Sequence, residues 1–201
     1  MILRVTHYDE PVLREKGAPV TDFGPGLRTL ASNMLETMYH HEGIGLAAQQ
    51  VGRAMQFCVI DIQLKDAEVK FDYTLDGRRV PMELMMPMAL ANPVVTPLPS
   101  PEESYDEGCL SFPEIRGHVV RPSQVRVTYQ DLDGQSHELV CGGILARCVQ
   151  HETDHLNGVL FIDRMAPAVV RKIEVKVKQL KRETREFLRH RPKYHSPDAP
   201  Q

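Results

Sequence analysis

The run His151-Glu152-Thr153-Asp154-His155 carries the residue types that hydrolytic metal chemistry needs, at helical spacing. Four residues of α-helix rise about 6 Å and turn slightly past one revolution, so both imidazoles leave one helix face and can share a metal ion. Glu152, one step round, comes within reach of a water on that metal. The same pattern also occurs on surface helices bearing two solvated histidines, so the reading requires a third ligand.

One class of zinc peptidases continues the pattern to a glycine and a third histidine. Here Gly158 is in register, but Phe161 stands where that histidine belongs, which excludes the class. Glu174 is a formal candidate from a later helix, yet it lies in a basic amphipathic segment where its i,i+4 neighbour Lys178 explains it equally well. Cys148 precedes His151 by three residues, about 4.5 Å along the axis, and is expected to pack in the core. Cys109 lies in Glu107-Gly108-Cys109-Leu110-Ser111, between two proline-bearing stretches, and could offer a thiolate from an extended edge. A Cys, His, His set leaves a fourth position for water, the pattern of a catalytic rather than a structural metal.

A third segment, Gly43-Ile44-Gly45-Leu46-Ala47-Ala48-Gln49-Gln50, superficially matches a dinucleotide fingerprint. That fingerprint follows a strand and opens a helix, whereas here a helix precedes and a strand follows, so the nucleotide reading is set aside. Small residues at 43, 45, 47 and 48 let another backbone approach closely, and a terminal glutamine supplies a neutral donor. A tight packing corner would use the same residues.

The elements that must position these groups are legible from period and punctuation. Leu27, Leu30, Met34, Leu35 and Met38 lie on one helix face after Pro25-Gly26, and that helix is expected to end near His41. Residues 56–62 read as a buried strand, Asp76-Gly77 as a hairpin turn, and Val125, Val127 and Tyr129 as a strand running to the turn at 131–134. The three prolines in 96–101 exclude a central strand there. Gly142-Gly143 opens the histidine helix and Asn157-Gly158 closes it. Val169, Ile173, Val177, Leu180 and Phe187 mark a last amphipathic helix. This order suits an α+β layer arrangement better than an alternating parallel sheet.

The 201 residues, 42% of them hydrophobic, suffice for one core. Charges at Arg4, Asp9, Glu10, Arg14, Glu15 and Lys16 interrupt any signal-peptide core, and no long apolar run suggests a membrane helix, so a cytoplasmic location is expected. The four cysteines read as thiols or ligands rather than a disulfide framework. The net charge of -3 hides an asymmetry: residues 167–191 carry +6 and the rest -9. The basic segment is either the solvated face of a packed helix or a surface for RNA phosphates.

Taken together, the segments 43–50 and 107–111 and Gln150-His151-Glu152-Thr153-Asp154-His155-Leu156 resemble, in order, the three motifs of the peptide deformylase family. The likeness extends over roughly residues 2–165, including Val5, Pro11 and Leu13-Arg14. It implies an α+β fold with antiparallel or mixed sheets around a central HExxH helix. With it goes a catalytic domain over 1–166; helical spacing gives the basic helix over 167–190, expected to pack on that domain, and the prolines at 192, 197 and 200 suggest a flexible tail over 191–201.

The implied activity is metal-dependent removal of the formyl group from the N-formylmethionine of new polypeptides, with water activated by the metal and Glu152 as general acid and base. Cys109, His151 and His155 would bind the metal, which the resemblance points to as Fe(II), with Zn(II), Ni(II) or Co(II) as substitutes. Gln50 and the Leu110 backbone N–H would hold the oxyanion, and Ile44, Gly45 and Arg116 would place the peptide.

Arg147 departs from the aliphatic residue that lines the methionine pocket in many bacterial members, although organelle-type members also carry arginine, and it is counted among the substrate-binding residues. The stretch 64–89 is longer than in compact members, and its Met85, Met86 and Met88 read as core filling. In some bacterial members a C-terminal helix docks on the ribosome. Two rivals remain: an HExxH endopeptidase in which Cys109 is incidental, and a ribosome-associated binding module with a structural metal.

Overall fold

Pro25, following the extended Gly24, opens the first helix, α1 (Pro25–His40), where its missing N–H leaves no intrahelical bond unmade. Leu27, Ala31, Met34 and Met38 are buried along it, with Leu30 and Leu35 at the margins. In the computed structural model, which describes residues 1–62 and 71–190, this helix covers one face of a six-stranded sheet.

The sheet comprises β1 (Gly45–Ala47), β2 (Phe57–Ile60), β3 (Tyr73–Leu75), β4 (Met88–Pro97), β7 (Gln124–Gln130) and β8 (Ser136–Gly142). Its spatial order is β1-β2-β4-β7-β8-β3, and every pair is antiparallel. Phe57 and Val59 pack with α1, while Cys58 and Ile60 point to the other face, so all four residues of β2 are buried. Helices on both faces explain why this strand reads as an unbroken apolar run rather than an alternating one.

The second face is covered by α3 (Gly143–Leu156), whose Leu145, Ala146, Val149 and Leu156 pack against Ile60, Leu90, Val125, Val127 and Leu139. Fully burying such aliphatic side chains is worth about 1.5–3 kcal/mol each, so this contact holds the histidine helix firmly in the interior. Gly143 (φ 56°) and Gly158 (φ 71°) sit at either end in left-handed conformation, where a side chain would strain the backbone. A short helix, α2 (Met82–Met85), precedes β4; Met85 and Met88 are buried and Met86 packs beside them, as core filling requires. The earlier part of the 64–89 stretch, residues 64–70, lies outside the described residues.

The chain leaves the sheet to form a separate two-stranded ribbon, β5 (Glu102–Cys109) and β6 (Phe112–Pro122). Its outer side is covered by α4 (Pro167–His190): Val169, Val170, Ile173, Val177 and Leu180 pack with Phe112, Ile115 and Val119. Glu174 pairs with Lys178 as an i,i+4 ion pair, and Lys181 and Arg185 both reach Asp9. Glu174 is thereby committed within its own helix.

One sequence expectation needs adjustment and another is sharpened. Thr96 and Pro97 end a strand, pairing on one side only with Arg126 and Val125, which fits the exclusion of a central strand there. They can do so because β2 pairs only with Met88–Ala91, so from there on β4 is an edge on that side and tolerates a proline. The Asp76-Gly77 turn forms, with both residues at positive φ, but the chain beyond it makes only an isolated bridge from Arg78 to Leu75, and the ladder partner of β3 is β8. The tail from 191 onward lies outside the described residues.

Candidate active site

The histidine helix, the end of the ribbon and the first sheet strand meet at one cleft of about 690 Å³. Strand alternation places Glu107 and Cys109 on one face of β5, and a register shift between Gly108 and Cys109 ends the regular pairing there. The ligand atoms of Cys109, His151 and His155 all lie within 4.8 Å of one another, and Cys109 Sγ is 3.2 Å from His155 Nε2. A soft thiolate with two imidazoles, half-buried to buried, suits a divalent transition metal and leaves a position open.

The surroundings support that fit. His151 Nδ1 is 2.9 Å from Glu107 Oε2, which fixes its tautomer and leaves Nε2 toward the other ligands. Burial pushes the His155 imidazole well below its ordinary range, so it stays neutral, as a ligand must. Burial acts in the same direction on His151, but hydrogen bonds to Cys109 and Glu107 overcome it and raise it to about 10. The Glu107 carboxylate beside His151 favours a positive charge at this place, which a metal would supply.

Glu152 projects into the same cleft from α3 and is only 4% exposed. Burial pushes its carboxyl up to about 7, with the His151 charge opposing and the Glu107 charge reinforcing the rise. A carboxyl poised near neutrality can both take and give a proton. Its Oε2 has no hydrogen-bond partner among the described residues.

Gly45 on β1 explains how Glu152 comes so close to the sheet. A Cβ at this position would lie 2.4 Å from Glu152 Oε1 and 2.8 Å from Cys148 Sγ. Gly45→Ala is therefore expected to displace the Glu152 side chain and lower kcat by about 10- to 100-fold with metal content unchanged, since a displacement near 1 Å can cost that much. Steady-state kinetics on metal-quantified protein check this, and an unaltered kcat would show that Glu152 is not confined by Gly45.

Gln50 lies in the 3₁₀ turn Ala48–Val51. Its Oε1 accepts from the Ala47 backbone N–H at 2.9 Å, which orients the amide so that Nε2 faces Cys109 Sγ (3.4 Å) and Ser111 Oγ (3.3 Å). Leu110 lies in the turn between β5 and β6 and packs toward Gly43. Ile44, Gly45, Arg116 and Arg147 all line the cleft as well. Arg116 donates to Asp106 through Nε (2.7 Å, carboxylate) and Nη2 (2.9 Å, carbonyl), whereas both Nη atoms of the buried Arg147 donate to protein groups.

Several contributors escaped sequence reasoning. Glu107 was legible only as a neighbour of Cys109, although its i−2 position on a strand could have flagged it. Arg121, which donates to Glu107 through Nε (2.7 Å) and Nη2 (3.0 Å), carries no sequence signal, because only the ribbon register brings it there. Burial alone would push the Glu107 carboxyl up, but hydrogen bonds from His151 and Arg121 reverse this and hold it well below the usual range. Phe161, where a third histidine was excluded, lies tilted beside His151 with ring centroids 5.9 Å apart. All four cysteines are free thiols, and Cys148 is buried beside Gly45.

An α+β scaffold holding two histidines and a glutamate on a buried helix, with a cysteine presented from a separate ribbon, defines a metal-dependent hydrolase. The sequence model of the polypeptide deformylase family matches residues 2–172, and the chain belongs to that family. The peptide deformylase of Opitutus terrae is 52% identical over 186 residues, covering 92% of this chain and 96% of the relative. The crystal structure of peptide deformylase from Thermotoga maritima is similar at a TM-score of 0.70 and 38% identity, covering 83% of this chain and 99% of that one. The Plasmodium falciparum peptide deformylase matches at a TM-score of 0.79 and 32% identity, covering 94% and 99%. No described helix is long and apolar enough to cross a membrane.

Proposed function

We propose that this cleft hydrolyses the formyl group from the N-terminal N-formylmethionine of newly made polypeptides, with the following division of labour. The observation that carries the assignment is the convergence of Cys109 Sγ and the two histidines within 4.8 Å, beside Glu152 and Gln50. Cys109, His151 and His155 hold a divalent metal, which supplies Lewis acidity and lowers the pKa of water. Glu152 takes the proton of the attacking water and returns it to the leaving amine, a role that suits a buried carboxyl raised to about 7.

The Gln50 amide and the Leu110 backbone N–H donate to the oxygen that becomes negative. Ile44, Gly45 and Arg116 place the peptide, and Arg147 forms part of the wall. Residues 1–166 act as the catalytic domain, with α4 as an accessory helix packed on the ribbon. The proposed metal is Fe(II), with Zn(II), Ni(II) and Co(II) as substitutes, and the proposed location is the cytoplasm.

One assay tests the activity and the metal together. Formate is expected from an N-formylmethionyl peptide but no acetate from its N-acetyl analogue. Activity should decay in air and return with Fe(II), Ni(II) or Co(II). Equal cleavage of both peptides would sink the assignment, and full activity with Zn(II) alone would sink the choice of iron.

The exposed basic face of α4, with Arg171, Lys172, Arg182 and Arg189, supports a second partner, the phosphate backbone of ribosomal RNA. Co-sedimentation with ribosomes should fall steeply with salt and be lost when Arg182 and Arg189 are replaced by glutamate. Binding that survives this charge reversal would dismiss the idea.

A further inference from the structure

The ribbon that carries Cys109 shares no ladder with the six-stranded sheet, and a two-stranded ribbon is marginal by itself. The position of Cys109 relative to the histidines therefore depends on what ties the ribbon to α3. Arg147 stands on α3 one turn before His151, with its side chain buried between the two. Its Nη1 donates to Glu107 Oε1 at 2.7 Å and to the Val119 carbonyl at 3.1 Å, while Nη2 donates to the Glu103 carbonyl at 2.7 Å. One guanidinium thus bonds both strands of the ribbon, two of its acceptors being backbone.

A reciprocal contact runs the other way. Arg121 on β6 donates to Glu107 and, through Nη1 at 2.7 Å, to Asp154 Oδ2 on α3. Glu107 sits at the centre, bonded to Arg121, Arg147 and His151. The Gln150 amide on the Pro122 carbonyl, at the far end of β6, reaches one strand only.

We infer that Arg147 is a positioning residue, a clamp that holds the Cys109 strand against the His151 and His155 helix and so keeps the three metal ligands together. The inference rests on the ligand set assigned under the proposed function. It moves Arg147 from reading the substrate to holding the site. A planar fork is needed because three acceptors at fixed angles must be met at once, which a lysine ammonium on a flexible stem does not do.

The test uses the full chain as wild type, Arg147→Met and Arg147→Lys, each loaded with Zn(II) at a temperature where all are folded by circular dichroism. Metal release to a chromophoric chelator is expected to be about 10- to 100-fold faster in the methionine variant, and clearly faster in the lysine variant too. Amide hydrogen exchange over 103–109 should accelerate in both variants while the interior of α3 stays protected. Wild-type release from Arg147→Met, or complete restoration by Arg147→Lys, would overturn the clamp, the second by showing that charge alone suffices. Should the methionine variant not fold, the lysine variant decides. Hydrogen exchange on metal-free protein tests the clamp separately, so a wild type that binds metal but releases no formate would sink only the functional assignment.

Discussion

Glu152→Gln is expected to lower formate release by about 10²- to 10⁴-fold, the range that a positioned acid–base group contributes. Glutamine preserves the shape of a side chain that sits against Gly45 with no room to spare, so the ligands beside it should not move. What it removes is the ability to take a proton from water and deliver it to the departing amine. The carboxyl is buried and lacks a partner for Oε2 among the described residues, so its charge is costly to the fold. Glutamine removes that charge, and the melting temperature should hold or rise. The checks are kcat on metal-quantified protein and a thermal melt. Turnover within about tenfold of wild type, with full metal content, would remove Glu152 from proton transfer.

Glu107→Leu is expected to act on both stability and the metal. The substitution leaves the Arg121 and Arg147 guanidiniums in the interior without their shared carboxylate, and breaking a buried pair in this way costs about 3–5 kcal/mol. It also takes the acceptor from His151 Nδ1, and loss of such a partner typically costs about 10- to 100-fold in metal affinity. Denaturant unfolding of the metal-free protein reads the first effect, and chelator competition reads the second. Glu107→Gln separates them, since its amide oxygen can still accept from His151 while the charge is gone. A leucine variant that loses less than about 1 kcal/mol would show that the two arginines find other partners.

Much of the site was legible because its residues are local in sequence. The spacing of His151 and His155 is a property of any helix, and the Gly142-Gly143 and Asn157-Gly158 boundaries follow from backbone preferences that need no tertiary context. Cys109 was harder, since its distance from the histidines depends on how a ribbon folds back over a helix; the residues favoured it over Cys148 and Glu174, and the family likeness added the metal-ligand role. The glycine at 45 could be read as a place of close approach, but not as the seat of Glu152.

Residue types, helical period and turn chemistry thus gave the three long helices, the strands at 56–62 and 125–129, and the side chains that can do chemistry, because these depend on neighbours a few positions apart. Only the tertiary structure decides what each polar group spends its bonds on. Arg147 reads in the sequence as a lining residue, yet its guanidinium is consumed by Glu107, Glu103 and Val119, 28 to 44 positions away along the chain. Buried charge must be paired wherever the fold brings a partner, and that partner is fixed by strand register and helix packing rather than by sequence distance.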